Sequence, residues 1–318
     1  MRVYRFPIPA SFFGMVLGLA GLGQGWRVAT RLWAAPAAIG EAVLLLAGIV
    51  WATLIVLYAG KWLYAREAAR AEANHEIQSG FVALVPLTTM LMAAALAPYA
   101  HGLAVAMWVT GTIAQLAWGA ECHARVWRGG RDPLSATTVL YLPTVGVNFV
   151  SAFVGGMLGF PQWGAVFFGI GLLAWLSLES VLLQRHSIGT ALPLPLRATL
   201  GIQLAPPVVG ALGYLAITTG PVDLPLQILF GYGLFQGLVL LRLVPFFRGP
   251  GFTPGLWAFT FGVTAIATVA MRMTERGDTG PASVLALPLF AFANLFVGAL
   301  AVLTAQLALR GRLVPRPA

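Results

Sequence analysis

ATTVLYLPTVGVNFVSAFVGGML, residues 136–158, holds no charged side chain. A helix rises 1.5 Å per residue, so about 20 apolar residues cross the hydrocarbon of a bilayer, and this stretch is long enough. Pro143 interrupts it near its start, and Thr144, Asn148 and Ser151, spaced i, i+4, i+7, share one helical face. A broken turn and a polar stripe in an otherwise apolar span are the features that the rest of the chain repeats.

Apolar runs fall at about 8–26, 37–63, 79–98, 102–120, 136–158, 163–183, 197–219, 224–247, 254–273 and 281–309. They predict an all-α integral membrane protein with ten transmembrane helices, one transmembrane domain over residues 1–318. Composition agrees: 19 Lys+Arg and 10 Asp+Glu among 318 residues, with 59% hydrophobic residues, leave too little polar surface for a soluble globule. Lipid bilayer is the main solvent. A β-barrel would alternate in ten-residue segments, whereas these runs are continuous. The net charge of +9 raises nucleic acid as a partner, but the arginines punctuate the ends of apolar runs instead of gathering on one element. No nucleic acid is expected. The single cysteine, Cys122, excludes an internal disulfide and has no metal-ligand spacing. The first run carries Pro7 and Pro9 and leads to Arg27, not to a small-residue cleavage site, so it reads as a span and not as a signal peptide.

Charge sets the expected orientation. With the N-terminus inside, fifteen of the 19 Lys+Arg fall on the inner side: Arg2, Arg5, Lys61, Arg66, Arg70, Arg125, Arg128, Arg131, Arg185, Arg197, Arg242, Arg248, Arg310, Arg312 and Arg316. Only four, Arg27, Arg31, Arg272 and Arg276, fall outside. The positive-inside rule then puts both termini in the cytoplasm of a bacterium, across its inner membrane.

The outer links after spans 3, 5 and 7 are short: Ala97–His101, Gly159–Gln162 and Gly220–Asp223. Short links make antiparallel pairs, which predicts five helical hairpins. Pro86, Pro143 and the pair Pro206/Pro207 lie inside spans 3, 5 and 7, separated by 57 and 63 residues, about one hairpin each. Gly262 follows Pro206 by 56 residues and takes the corresponding place in span 9. An interior proline frees a carbonyl that lipid does not tolerate, so these odd-numbered spans are expected to kink and to face protein or a water-filled path.

Polar stripes fall on the same spans. Beside Thr144, Asn148 and Ser151, span 7 sets Thr199 and Gln203 on one face, and Thr88 follows Pro86 in span 3. In span 9, Trp257, Phe261, Thr264 and Thr268 form one stripe, with Phe259, Val263, Ile266 and Ala270 on the opposite one. In span 1 the matching stripe is Gly14, Gly18, Gly21 and Gly25. The plainer alternatives are close helix packing for the glycines and interhelical hydrogen bonding for the hydroxyls and amides. Even-numbered spans also carry Gln115, Gln236 and Asn294, so the contrast is imperfect.

No Asp, Glu, Lys, Arg or His falls near the middle of an odd-numbered span, and Glu41, Glu121 and Glu179 fall near the ends of even-numbered ones. An ion-coupled pump normally needs an intramembrane ionisable relay or an ion cage. His75, His101, His123 and His186 are scattered, there is no P-loop or GxSxG, and neither enzyme activity nor a cofactor is expected. An uncharged path lined by hydroxyls and glycine backbone in a basic protein suits small inorganic or organic anions, because donors partly replace hydration while no fixed cation traps the ion.

The chain resembles the tellurite-resistance/dicarboxylate transporter family, which includes the plant slow-type anion channels. FPIPASFFGMVLGLAGL from Phe6, LVPLTTM from Leu84, GTIAQL from Gly111, YLPTVGVNF from Tyr141, LRATLGIQLAP from Leu196, GYGLFQ from Gly231, LRLVPFF from Leu241 and GLWAFTFG from Gly255 carry the resemblance. It implies five hairpins around a central pore, with odd-numbered helices lining it, even-numbered helices outside, and a homotrimer with one pore per subunit. It also implies a phenylalanine gate in the ninth helix, which WAFTFG puts at Phe261. Val16 departs from the family, which has a proline there, and this leaves the kink of span 1 to Gly14 and Gly18. A gated anion channel is the first expectation; a secondary transporter or efflux protein for tellurite, sulfite, C4-dicarboxylates or cationic compounds is the alternative.

Overall fold

The computed structural model describes residues 8–247 and 252–313. Arg2, Arg5, Arg248 and Arg316 of the charge count, and Phe6 and Pro7 of the first motif, lie outside the described residues. Among the described residues every regular element is helical. The long helices are α1 (Gly14–Trp33), α2 (Ala37–Tyr64), α3 (Gln78–Leu96), α4 (His101–Trp127), α5 (Thr138–Met157), α6 (Pro161–Ile188), α7 (Leu194–Ile217), α8 (Leu224–Arg242), α9 (Pro254–Glu275) and α10 (Pro281–Leu309).

Nine of these, α2 to α10, are long and apolar enough to cross a membrane among the described residues. The first expected span differs. A 3-10 turn, Ala10–Phe13, precedes α1, whose 20 residues are rich in glycine and carry Arg27 and Arg31 in the second half. Glycine contributes no apolar side chain and arginine opposes insertion, so α1 is less apolar than the other nine.

Regular and irregular helices alternate. In α3 the helix is interrupted at Ala83, between Gln78–Val82 and Leu84–Leu96. In α5 a 3-10 turn and a π-turn, Leu142–Gly146, precede the α-helical part, and in α7 a 3-10 stretch, Ala198–Leu204, does so. The cause is local: Pro86, Pro143 and Pro206 have no N–H to give the carbonyls of Val82, Val139 and Ile202 four residues back, and those carbonyls fall in or next to the irregular turns. α9 begins with a 3-10 stretch, Pro254–Phe259. The irregular turns of α3, α5, α7 and α9 fall towards the N-terminal end of each helix. α1 runs unbroken through Val16. Short turns close the opposite end, where Gly159, Gly220 and Gly277 take φ of 90°, 93° and 87°, a backbone that glycine adopts without a Cβ clash.

Packing sorts the helices into two layers. Each odd-numbered helix packs on the even-numbered one that follows it, and α1, α3, α5, α7 and α9 contact one another in sequence, with α9 returning to α1 to close a ring. Each even-numbered helix also touches the next member of the ring: α2 reaches α3, α4 reaches α5, α6 reaches α7, α8 reaches α9, and α10 reaches α1. Burial follows: 67–78% of the most apolar part of α3, α5, α7 and α9 is buried against 22–33% in the even-numbered helices. The outer layer exposes Leu45, Leu63, Leu173, Leu238 and Leu295, a surface suited to lipid.

A candidate conduit inside the helix ring

A cavity of about 180 Å³ opens at the N-terminal ends of the ring helices. Every ring helix contributes to it: Gly14 and Leu17 from α1, Leu84 from α3, Leu142 from α5, Ile202 and Ala205 from α7, Ala258 and Phe261 from α9. Irregular turns bring the lining residues of α3, α5, α7 and α9 together, each lying in or beside a break in its helix, while α1 contributes Gly14 and Leu17 from the start of an unbroken helix. Phe261 is the lining residue of α9 farthest along the helix, and the residue is 8% exposed. Phe259 points elsewhere, against Gly201 and the rings of Phe247 and Phe296.

α1 and α9 meet along a seam of glycine and threonine. A Cβ at Gly18 would strike Thr260 and Trp257, one at Gly21 would strike Thr264, and one at Gly25 would come 3.1 Å from the Thr268 hydroxyl. The threonine hydroxyls of this seam donate back along their own helix, Thr264 to Thr260 O at 2.9 Å and Thr268 to Thr264 O at 2.9 Å. Gly262 does the same for the next seam, lying so close to Leu204 of α7 that a Cβ would not fit. Thr88 is fully buried one turn beyond Leu84 on the same face, its hydroxyl donating to Leu84 O at 2.8 Å.

The polar stripe of α5 turns away from this cavity. Asn148 accepts from Gln115 Nε2 of α4 at 3.2 Å and donates to Thr144 O at 2.7 Å. Ser151 Oγ lies 2.8 Å from Thr112 Oγ1 and accepts from Trp108 Nε1 at 3.2 Å, both on α4. Pro143 and Thr144 line an outer groove between α4 and α6. The backbone carbonyl of Pro86 faces Gly111 of α4. Gln203 donates to Glu179 Oε1 of α6 at 2.8 Å. Pro206 and Pro207 are buried where α7 becomes regular. The interhelical alternative thus describes Asn148, Ser151 and Gln203, each held in a low-dielectric bundle by a complementary group on an outer helix, whereas the Thr144 hydroxyl is buried without a partner. The cavity lining is chiefly apolar, and sequence reasoning missed Leu17, Leu84, Leu142, Ile202 and Ala205. Helical spacing held the signal, since Leu17 follows Gly14 by three residues and Leu84 precedes Thr88 by four.

Two partly buried carboxylates brace the ring. Glu179 accepts from Tyr141 at 2.5 Å, Trp175 at 2.8 Å, Gln203 at 2.8 Å and Tyr232 at 2.9 Å, tying α5, α6, α7 and α8. Glu72, in the amphipathic helix Arg66–Asn74, accepts from Lys61 Nζ at 2.8 Å, Tyr58 at 3.2 Å and the backbone N–H of Ala10 at 2.8 Å, which fixes the chain entering α1.

Where α1 and α9 end, an open depression of about 610 Å³ is lined by Arg31, Leu32, Arg272, Thr274 and Glu275. Glu275 pairs with Arg31 at 2.9 Å and Arg272 at 3.2 Å, so two cations share one carboxylate. Arg27 donates to Ala94 O and Ala95 O at the end of α3 and pairs with Glu41 at 2.7 Å. Arg276 donates to Leu215 O and Thr218 O at the end of α7. Burial lowers the Arg276 guanidinium from its ordinary pKa. The four arginines of the minority side of the charge count therefore gather at this end, two of them on the exposed carbonyls of helix C-termini, where a cation is stabilised.

Residues 7–305 match the SLAC1 family, described as voltage-dependent anion channel. The chain is 38% identical over 301 residues to the tellurite resistance protein TehA homolog of Haemophilus influenzae, covering 94% of this chain and 90% of that protein. It is 26% identical over 308 residues to the S-type anion channel SLAH3 of Arabidopsis thaliana and 25% identical over 314 to the guard cell S-type anion channel SLAC1 of the same plant. Each alignment takes 94% of this chain but 48% and 55% of those longer proteins, so the chain spans about half the length of its plant relatives.

Proposed function

The chain belongs to the SLAC1 family of voltage-dependent anion channels, and from that premise we propose that it is a passive, gated channel for small anions. The pore runs along the axis of the five-helix ring, α1 supplies the tenth span, and five hairpins build each subunit of a homotrimer. Phe261 closes the pore. The cavity at the N-terminal ends of the ring helices is the pore's vestibule and faces the cytoplasm of a bacterium, and the Arg31/Arg272 depression is its outer mouth across the inner membrane.

The observation that carries this reading is the placing of Phe261 on the wall of the vestibule by a helix whose other phenylalanine, Phe259, packs outward. Leu17, Leu84, Leu142 and Ile202 around it repay little of an ion's dehydration, which makes the conduit a weak-field one. Permeability should then rise as anion hydration weakens, nitrate and iodide above chloride and chloride above fluoride. Bi-ionic reversal potentials test this: the reverse order, or selectivity for cations, contradicts it.

The tellurite-resistance name of the Haemophilus influenzae relative favours one second reading, secondary transport or efflux of tellurite, sulfite or C4-dicarboxylates. Coupling to protons or sodium needs an ionisable relay or a cation cage in the path, and the central turns of α1, α3, α5, α7 and α9 carry no Asp, Glu, Lys, Arg or His. Uphill anion accumulation in proteoliposomes driven by a pH gradient alone would favour that reading over the channel.

A further inference from the structure

Gln24 is 8% exposed, and its amide Nε2 is buried without a hydrogen-bond partner. A buried donor left without an acceptor opposes folding, and an apolar residue there would avoid the penalty. Along α1, Gly14, Leu17, Gly21, Gln24 and Arg31 share one helical face at intervals of three, four and seven residues. Gly14 and Leu17 line the vestibule, a Cβ at Gly21 would lie 3.6 Å from the Phe261 ring, and Arg31 lines the opposite mouth. Gln24 therefore lies between the Phe261 ring and that mouth. On the facing stripe of α9 the Thr268 hydroxyl is already given to Thr264 O, which leaves the Gln24 amide as the uncommitted donor.

We propose that the Gln24 carboxamide is an anion-coordinating station in the conduit, beyond Phe261 from the vestibule, for a partly dehydrated monovalent anion such as chloride. The station rests on the conduit reading above. Its chemistry suits passage: the Arg31 and Arg272 mouth gathers anions, and a neutral amide replaces one or two waters without the long residence that a fixed cation imposes. Gln24 is then a selectivity residue, and its donors favour chloride, which loses most on dehydration, over more weakly hydrated nitrate.

The test uses the full chain in the Phe261→Ala background, where the gate does not limit flux, together with Gln24→Leu and Gln24→Glu. Gln24→Leu removes the donor at similar volume and should lower chloride permeability relative to nitrate by roughly tenfold, the weight of one hydrogen bond to a charged group. Gln24→Glu should abolish anion current. Crystals of the wild-type protein soaked in bromide should show an anomalous peak at hydrogen-bond distance from Gln24 Nε2, and Gln24→Leu crystals should not. A conducting Phe261→Ala parent with no bromide peak and an unchanged chloride-to-nitrate ratio in Gln24→Leu overturns the station and leaves the gate standing. A silent Phe261→Ala parent with the bromide peak present overturns the gate and supports the station as a binding site; a silent parent without the peak overturns both.

Discussion

Phe261 lies beside Gly21: a methyl group added at Gly21 would come 3.6 Å from Phe261 Cδ2, within van der Waals contact. That contact crosses from α9 to α1, the helices that close the ring, and it exists because Gly18, Gly21 and Gly25 let the two backbones approach. The position of the ring therefore depends on a glycine seam that carries no polar group of its own on α1.

Gly18→Leu should break this seam. Its side chain would occupy space held by Thr260 and Trp257, and overpacking of this kind costs about 1–3 kcal/mol. Detergent melting curves should show a clear loss for Gly18→Leu and none for Gly169→Ala, whose Cβ meets nothing within 4 Å. Equal melting temperatures for wild type and Gly18→Leu would mean that α1 and α9 are not closely packed.

Glu179→Leu strands four donors, from Tyr141, Trp175, Gln203 and Tyr232. Hydrogen bonds to a charged group contribute about 1.5–3 kcal/mol each before reorganisation, so this variant should be among the most destabilised, with Glu179→Gln milder. Thermal unfolding of the two in the same detergent checks the order.

Lys61 and Glu72 form an ion pair with side chains 8% exposed on each partner. Lys61→Met leaves the Glu72 carboxylate buried without its cation and should cost about 3–5 kcal/mol, while Lys61→Met/Glu72→Gln should recover part of the loss. A double variant no more stable than Lys61→Met would contradict the pairing as the source.

Ser151→Ala should lower stability without moving ion selectivity, because the hydroxyl meets Thr112 and Trp108 of α4 and not the vestibule. Reversal potentials for nitrate against chloride are the readout. A shift as large as that of a vestibule substitution such as Leu17→Ser would return Ser151 to the conduit.

The sequence made the two-layer architecture legible through Pro86, Pro143 and Pro206, whose missing N–H groups dictate breaks that neighbouring residues cannot undo. That Phe261 and Phe259 face different surroundings was legible for a similar reason, since the helical period sets them on opposite sides of α9. Asn148, Ser151 and Gln203 misled because polarity along a helix marks a face that needs partners and does not say whether water or another helix supplies them. Their partners, Thr112, Gln115 and Glu179, stand on other helices, so the pairing is a tertiary fact. The apolar lining of the vestibule was hidden in the same way, because Leu17 and Leu142 look like core residues until the ring leaves a space beside them.

The central claim is that the Phe261 ring is what closes the path. Currents through purified Phe261→Ala, Phe259→Ala and wild-type protein in planar bilayers under symmetric chloride test it most directly, with a melting curve for each. The account predicts a large rise in anion conductance for Phe261→Ala at nearly unchanged melting temperature, and wild-type conductance for Phe259→Ala. A folded Phe261→Ala protein that conducts no more than wild type would contradict it.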